Sequence, residues 1–234
     1  MKHGIFLFLC CVLIFNTIFA QSSIVKIQIK HAIGDSKTIC TDSIYRLNQH
    51  DSIKITTLRY YISGIELLLN NQSIWIETNS FHLIDISDSS SSFFALKLPQ
   101  NTQYNQIKFN LGIDSITSNA GALGGDLDPS KGMYWSWQSG YINLKLEGKS
   151  NLCKTNNQLF QLHLGGYLYP YSAMQQIVLN TCDQMPICIV FDLEKWIQKI
   201  PLDLQHHIMS PSNNSVLISK AAAQAFRICT PCEK

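Results

Sequence analysis

The segment Val25-Lys-Ile-Gln-Ile-Lys-His-Ala-Ile33 sets the fold class, because apolar and polar residues alternate along it. One face carries the apolar side chains together with His31, and the other carries Lys26, Gln28 and Lys30. A repeat of two residues is the pattern of a β-strand that buries one face. The N-terminal part of the chain is therefore predicted to be an amphipathic strand.

Much of the remaining chain consists of similar short segments. They are rich in Ile, Val, Tyr and Phe and are separated by Asn, Asp, Gly or Ser, which is the spacing of a β-sandwich or barrel. The predicted strands are Ser52–Tyr61, Ile65–Leu69, Ile74–Glu77, His82–Ile86, Gln106–Leu111, Gly140–Gly148, Phe160–Leu164, Gln175–Asn180 and Ile187–Phe191. The sequence thus predicts an all-β fold, an antiparallel β-sandwich with short helical additions near the C-terminus.

Two segments near the C-terminus have helical character. Asp192 is suited to cap a helix over Glu194–Ile200 that ends before Pro201, and an Ala-rich stretch favours a helix over Asn213–Arg227. Between two predicted strands, Asn70-Asn71-Gln72 is typical of a hairpin tip. None of these features changes the all-β prediction.

Residues 1–20 have the layout of a secretory signal peptide. Lys2 and His3 precede an apolar run from Ile5 to Phe19, and the run closes on Ala20. Because the run is shorter than the roughly 20 apolar residues of a transmembrane helix, cleavage is favoured over a retained anchor. Residues 21–234 are then predicted to form a single domain in the periplasm, in the outer cell envelope or outside the cell.

The charge distribution argues against a nucleic-acid or anionic-membrane partner. The formal net charge is +2, and the Lys and Arg residues are scattered without a block of like charge. A hydrophobic content of 46 % is ordinary for a chain that buries a substantial core.

Six of the eight cysteines lie outside the leader, and an even number in an exported chain favours disulfide bonds. Sequence alone fixes no pairing. The terminal Cys229-Thr-Pro-Cys232 has the spacing of a redox motif or half of a zinc site. A structural role is favoured, because there is no second such motif and no βαβ context.

The most unusual segment runs from Gly121 to Tyr141 and joins a Gly/Asp-rich loop to a dense aromatic run. If the aromatic run is extended, Met133, Trp135 and Trp137 project to one side of it. Aromatic strands usually pack in a core, so this pattern alone favours a structural role. The loop has too few carboxylates for a calcium site and is predicted to be a solvated turn.

Several segments together resemble the MbnP-like family of copper-binding proteins. The central one is Gly132-Met-Tyr-Trp-Ser-Trp-Gln-Ser-Gly-Tyr141. The others, in the family's order, are Leu58-Arg-Tyr-Tyr-Ile-Ser-Gly-Ile65, His82-Leu-Ile-Asp85, Phe109-Asn-Leu-Gly-Ile-Asp114, Leu144-Lys-Leu-Glu-Gly148 and Phe160-Gln-Leu-His-Leu-Gly-Gly166. The resemblance covers most of the chain beyond the leader.

The resemblance implies an exported β-rich domain, with copper bound through histidines in some members. It also implies an oxidised tryptophan, a kynurenine, which a partner haem protein installs in some members. Trp135 and Trp137 match the Trp-rich motif, so either could be the oxidised residue. No histidine lies within that motif, so the ligands must come from elsewhere in the chain.

Imidazole and thioether groups are suitable donors for copper, and the candidate ligands are His163, His82, His31 and Met133. His163 is expected to face solvent or a cleft, because its face of the strand is opposite that of Phe160, Leu162 and Leu164.

The other histidines that could bind copper fall into two sets. His31 and His82 share apolar faces, where a hydrogen-bonded core histidine is the commoner case. The pair His206-His207, followed by Met209, is a second candidate cluster.

These features predict a non-enzymatic copper-binding or copper-handling protein. One alternative is a metal-free envelope module on the same scaffold, which would have tightly buried histidines and intact tryptophans. A second alternative is a redox protein or enzyme that uses the terminal cysteines or the aromatic strand.

Overall fold

The structure is a computed structural model that describes residues 22–34, 39–138, 140–181 and 186–230. The predicted signal peptide, Cys182 and Cys232 lie outside these residues. The strands are β1 Ser22–Ala32, β2 Ile44–Arg46, β3 Ser52–Leu69, β4 Gln72–Ile76, β5 Phe81–Asp85, β6 Phe93–Pro99, β7 Gln106–Leu111, β8 Tyr134–Trp135, β9 Gly140–Ser150, β10 Leu159–Gly165, β11 Gln175–Asn180, β12 Ile187–Asp192, β13 His207–Ile208 and β14 Phe226–Ile228. The α-helices are α1 Ser115–Asn119, α2 Leu193–Ile197 and α3 Asn213–Ala223, and 3-10 turns cover Ser89–Ser92, Gly125–Leu127 and Pro129–Lys131.

Two sheets face each other, which confirms the predicted β-sandwich. The smaller sheet has the order β14-β12-β1-β6, and the larger is built around β3. Most neighbours are antiparallel, but β1 pairs with β12, and β10 with β13, in parallel. Tyr60 of β3 packs edge-on against Phe191 and Phe226 of the smaller sheet, with ring centroids 5.4 and 5.9 Å apart. One hydrophobic core therefore fills the space between the sheets.

The long strand β3 organises the larger sheet. The two predicted strands Ser52–Tyr61 and Ile65–Leu69 form one continuous strand. Between them Gly64 adopts a φ of +57°, and the register with β7 shifts between Ser63 and Glu66. A bulge of this kind bends a strand without ending it. Residues Ile53–Tyr60 pair with β9, whereas Ile62–Leu68 pair with β7. Strand β5 pairs with the middle of β3.

The hairpin prediction at Asn70 and Asn71 is confirmed. Both residues have positive φ, 53° and 68°, which is the backbone of the two-residue turn that suits the twist of a hairpin. Strands β3 and β4 flank this turn in antiparallel register.

The C-terminal helices differ in part from the prediction. Asp192 caps α2 as expected by accepting a hydrogen bond from the Lys195 backbone. The second helix ends at Ala223 rather than Arg227, because Phe226 enters the sheet beside β12 and stacks on Phe191. Tertiary packing here outweighs the helix propensity of the local sequence.

A disulfide joins Cys188 of β12 to Cys229, which directly follows β14. Cys229 therefore does not pair within its own C-x-x-C motif. Cys40 and Cys153 are free, the first exposed and the second buried. Among the described residues, no helix is both long enough and apolar enough to cross a membrane.

Candidate functional site

The Trp-rich segment forms a turn rather than an extended strand. Among the described residues of this segment, Tyr134 and Trp135 alone pair as a strand, with Tyr141 and Gly140 of β9, and the chain turns at residues 136–138. The expectation that Met133, Trp135 and Trp137 share one face is therefore wrong. Met133 is fully buried and Trp135 is 5 % exposed, whereas Trp137 is 64 % exposed. The two indole rings nevertheless remain close, with centroids 5.8 Å apart.

A second, smaller hydrophobic cluster holds this turn against the larger sheet. It is formed by Tyr61, Leu83, Ile113, Leu127, Met133, Trp135, Tyr141 and Ile142. Gly132 adopts a φ of +71°, which lets the chain leave the Gly/Asp loop and enter β8. The Ile142 backbone amide then donates to the Met133 carbonyl at 2.9 Å. Met133 is thus a packing residue of this cluster.

The indole of Trp135 also packs against strand β10. A Cβ added at Gly165 would lie 2.8 Å from Cζ3 of Trp135, so the absence of a side chain at Gly165 allows this contact. Gly165 lies two residues beyond His163, roughly 7 Å along the strand. The structure therefore brings Trp135 into the neighbourhood of His163.

His163 lies opposite Phe160, Leu162 and Leu164 as expected, but it is not open to solvent. It is 6 % exposed, which corrects the sequence-based expectation. Its Nε2 lies 2.6 Å from Oε1 of Glu147, and its Nδ1 is buried without a hydrogen-bond partner. Sequence periodicity gives the face of a strand and does not reveal what covers that face.

The protonation states of this pair follow from their surroundings. Burial would raise the pKa of Glu147, but the hydrogen bond with His163 and the charge of Lys145 lower it below its usual value. The pKa of His163 is lowered mainly by burial, and the hydrogen bond to Glu147 opposes that effect. Near neutral pH the pair is thus a carboxylate and a neutral imidazole. Because the carboxylate only accepts, Nε2 carries the proton and Nδ1 carries a lone pair.

His206 and His207 lie beside this pair at the sheet edge. His207 is in register with Gln161 of β10, and the His206 carbonyl accepts from the Gln161 amide at 2.8 Å. The charge of His207 contributes to lowering the pKa of His163, so the two rings are electrostatic neighbours. His206 Nδ1 is also buried without a hydrogen-bond partner.

The two remaining predicted histidines occupy separate environments. His82 Nε2 lies 2.9 Å from Oε2 of Glu77, and its ring stacks on Phe94 with centroids 3.9 Å apart. His31 Nε2 lies 2.9 Å from the Tyr60 hydroxyl within the core. Burial lowers the pKa of His31 to about 4.

The four predicted ligands therefore do not meet at one point. His82 is on β5 and His163 on β10, with β3 and β9 between them, which makes three strand spacings or roughly 14 Å. Within residues 22–34, 39–138, 140–181 and 186–230, no three His, Cys, Asp or Glu side chains are arranged to hold a metal ion.

Sequence reasoning missed Glu147. Glu147 lies in a segment that resembles the family, but nothing in that segment singles out its carboxylate. The sequence does contain an indication of the contact. Antiparallel pairing of the segments 144–148 and 160–164 places Glu147 near His163. The actual partners across the strands are Gln161 for Glu147 and Lys145 for His163, so the hydrogen bond is diagonal.

Fold and site together define a β-sandwich protein with a tryptophan-rich turn packed near a buried histidine–carboxylate pair. The MbnP family model matches residues 22–215, and the chain belongs to this family. The structure is similar to that of MbnP from Methylosinus trichosporium, with 16 % identity, a TM-score of 0.58, and coverage of 76 % of this chain and 78 % of that one. No curated protein matches the sequence. The resemblance predicted from the sequence is therefore confirmed.

Proposed function

We propose that this protein is an exported, non-enzymatic copper-binding protein in which His163 is the principal ligand. The observation that carries the proposal is the His163–Glu147 pair, with Nε2 2.6 Å from the carboxylate and a buried Nδ1 that has no partner. Membership of the MbnP family supports a role connected with copper, and the Cys188–Cys229 disulfide supports an oxidising compartment such as the periplasm or the cell exterior.

The geometry of the pair suits a metal ligand. A histidine that binds a metal commonly donates its other ring N–H to a carboxylate, which fixes the tautomer and makes the ligating nitrogen more basic. A neutral imidazole is also the form that coordinates, because a proton competes with the metal for the same lone pair. His163 meets both conditions, with Glu147 as the orienting carboxylate. A buried acceptor that lacks a partner costs free energy unless something binds it.

The donor chemistry around His163 fits copper, although the complete ligand set is not assembled among the described residues. Imidazole nitrogens suit copper, and a thioether favours its reduced form. We propose that His207 and Met209 supply the further donors, because β13 is the neighbour of β10 and its register with Gln161 places alternate residues on the face of His163. His31 and Met133 are less suited, since the first is bonded to Tyr60 and the second is fully buried.

Tryptophan oxidation is a further part of this proposal. The exposed Trp137 is accessible to a partner haem protein, and Trp135 connects it to the neighbourhood of His163 through the 5.8 Å contact between the indoles. A kynurenine at either position would add polar atoms beside the metal site. Peptide mapping of protein from its native host would identify the oxidised residue.

A copper competition titration tests the proposed ligand. The background should be Cys40→Ser, because an exposed thiol is itself a copper ligand. His163→Ala should weaken copper binding by more than about tenfold, and Glu147→Gln by about tenfold, since second-shell partners matter to that degree. His50→Ala removes an exposed imidazole and should leave the affinity unchanged. If His163→Ala binds copper as tightly as its parent while remaining folded, His163 is not a ligand.

A further inference from the structure

A cavity of about 500 Å³ lies on the other side of β3 from the histidine–carboxylate pair. Its size is within the range of small-molecule sites. Residues from β3, β5 and β6 and from two polar loops line it, and one of these loops is the Gly/Asp-rich segment that precedes the Trp-rich turn. Neither His163 nor Glu147 lines this cavity, and His207 and Met209 do not line it either.

Side chains of both charge signs line this cavity. Arg59 Nε lies 2.6 Å from Oδ2 of Asp85, and Lys131 Nζ lies 2.6 Å from Oδ1 of Asp126. Asp88 is the third carboxylate of the lining. Among the described residues, Lys131 makes its ion pair with Asp126 and none with Asp88.

Lys131 and Asp88 nevertheless line the same cavity. The pKa of Asp88 is lowered, first by hydrogen bonds from Ser90 and to a lesser extent by the charge of Lys131. Among the described residues, Asp88 is therefore an ionised carboxylate without an ion-pair partner, and the Lys131 ammonium lines the same cavity without pairing with it. A molecule that carries both an ammonium and a carboxylate group could bridge this gap.

An aromatic wall completes the lining. The ring of His82 stacks on Phe94, with centroids 3.9 Å apart and planes 13° from parallel. The neighbouring Phe93 is 58 % exposed although it is a large apolar residue. An apolar side chain of a ligand would find aromatic partners here.

The walls of the cavity are fixed to one another by hydrogen bonds. The Leu83 amide donates to Oδ2 of Asp126 at 3.1 Å, and Arg59 Nη1 donates to the Lys131 carbonyl at 3.0 Å. These bonds join the Gly/Asp-rich loop to β5 and β3. A site that is held in place before binding loses less entropy when the ligand arrives.

We propose that this cavity binds a small zwitterion, an α-amino acid with an apolar or aromatic side chain. Its ammonium group bonds to Asp88, its carboxylate is held by Lys131 and Arg59, and its side chain lies against Phe93 and Phe94. This assignment is independent of the copper proposal, since neither His163 nor Glu147 takes part.

Isothermal titration of the exported protein with L-phenylalanine tests the proposal, with two analogues as matched ligands. L-phenylalaninamide lacks the carboxylate, and N-acetyl-L-phenylalanine lacks the ammonium group. Each analogue should bind at least about threefold more weakly than L-phenylalanine, because each loses one exposed charge contact. Absence of binding by L-phenylalanine, or equal binding of all three ligands, would overturn the proposal.

The variant Asp88→Asn separates the charge of this residue from its structural role. Asp88 caps the 3-10 turn by accepting from the Ser90 amide, and the Asn side chain preserves that hydrogen bond. The variant should weaken binding of L-phenylalanine about threefold and leave binding of N-acetyl-L-phenylalanine unchanged. Asp114→Asn, at the cap of α1, is the control that should change neither. Equal weakening of both ligands by Asp88→Asn would contradict the proposed ammonium contact.

Discussion

Acidification should destabilise this protein through His31, a histidine held neutral in the core. Its Nε2 lies 2.9 Å from the Tyr60 hydroxyl, and burial lowers its pKa from 6.5 to about 4. In the unfolded chain the same imidazole takes up a proton near its ordinary pKa. Between these two pKa values the unfolded state binds more protons than the folded state. The free energy of unfolding therefore falls as the pH falls.

The magnitude of this effect follows from the two pKa values. A difference of about 2.5 pKa units corresponds to about 3 kcal/mol at full protonation of both states. Between about pH 7 and about pH 4.5, the contribution of His31 amounts to about 2 kcal/mol. Well above neutral pH, the imidazole is neutral in both states and contributes no pH dependence.

Urea unfolding followed by tryptophan fluorescence at the two pH values measures this contribution. The informative variant is His31→Gln, because an amide does not titrate in this range and is able to hydrogen bond to Tyr60. The loss of stability on acidification should be smaller in this variant by about 2 kcal/mol. His50→Gln changes an exposed histidine and should show the dependence of the parent protein. If His31→Gln loses as much stability on acidification as the parent, the assignment of this effect to His31 is refuted.

Three further predictions concern the core, the disulfide and the Trp-rich turn. Leu58→Ala should lower the free energy of unfolding by about 3 kcal/mol, because Leu58 is fully buried between the sheets; a loss below about 1 kcal/mol in urea unfolding would contradict this. Replacing both Cys188 and Cys229 by Ala should cost about 4 kcal/mol on the loop-entropy model for a separation of 41 residues, and calorimetry that shows no lower melting temperature would contradict it. Trp137→Phe should reduce acrylamide quenching of the fluorescence whereas Trp135→Phe should not, because Trp137 is exposed and Trp135 is buried. A reduction in Trp135→Phe but not in Trp137→Phe would contradict the observed conformation of the Trp-rich turn.

The β-sandwich could be predicted from the sequence because the alternation of apolar and polar residues along each segment corresponds directly to the buried and exposed faces of a strand. Strands β7 and β11 begin and end at the residues predicted. Strand β6 was not predicted, although it pairs with β1 and alternates in burial from Phe93 to Pro99. The helix expected through Arg227 ended early because Phe226 gains more from stacking on Phe191 than from another helical turn.

The site was less predictable, since it depends on contacts between segments far apart in the sequence. The face of His163 could be read from its neighbours, but the pairing of its Nε2 with Glu147 depends on the register between β9 and β10. The turn after Trp135 likewise has no strong local marker, because Ser136 and Gln138 are compatible with an extended strand. Local periodicity predicts neither the register between distant strands nor which residues pack over a strand face.

Metal analysis of the protein purified from its native host tests the central claim most directly. It should be combined with intact mass measurement and with peptide mapping of Trp135 and Trp137. The account predicts stoichiometric copper in the parent protein and its loss in His163→Ala, with secondary structure retained in both. Absence of copper after loading, with both indoles unmodified, would contradict the account and favour a metal-free module on the same scaffold.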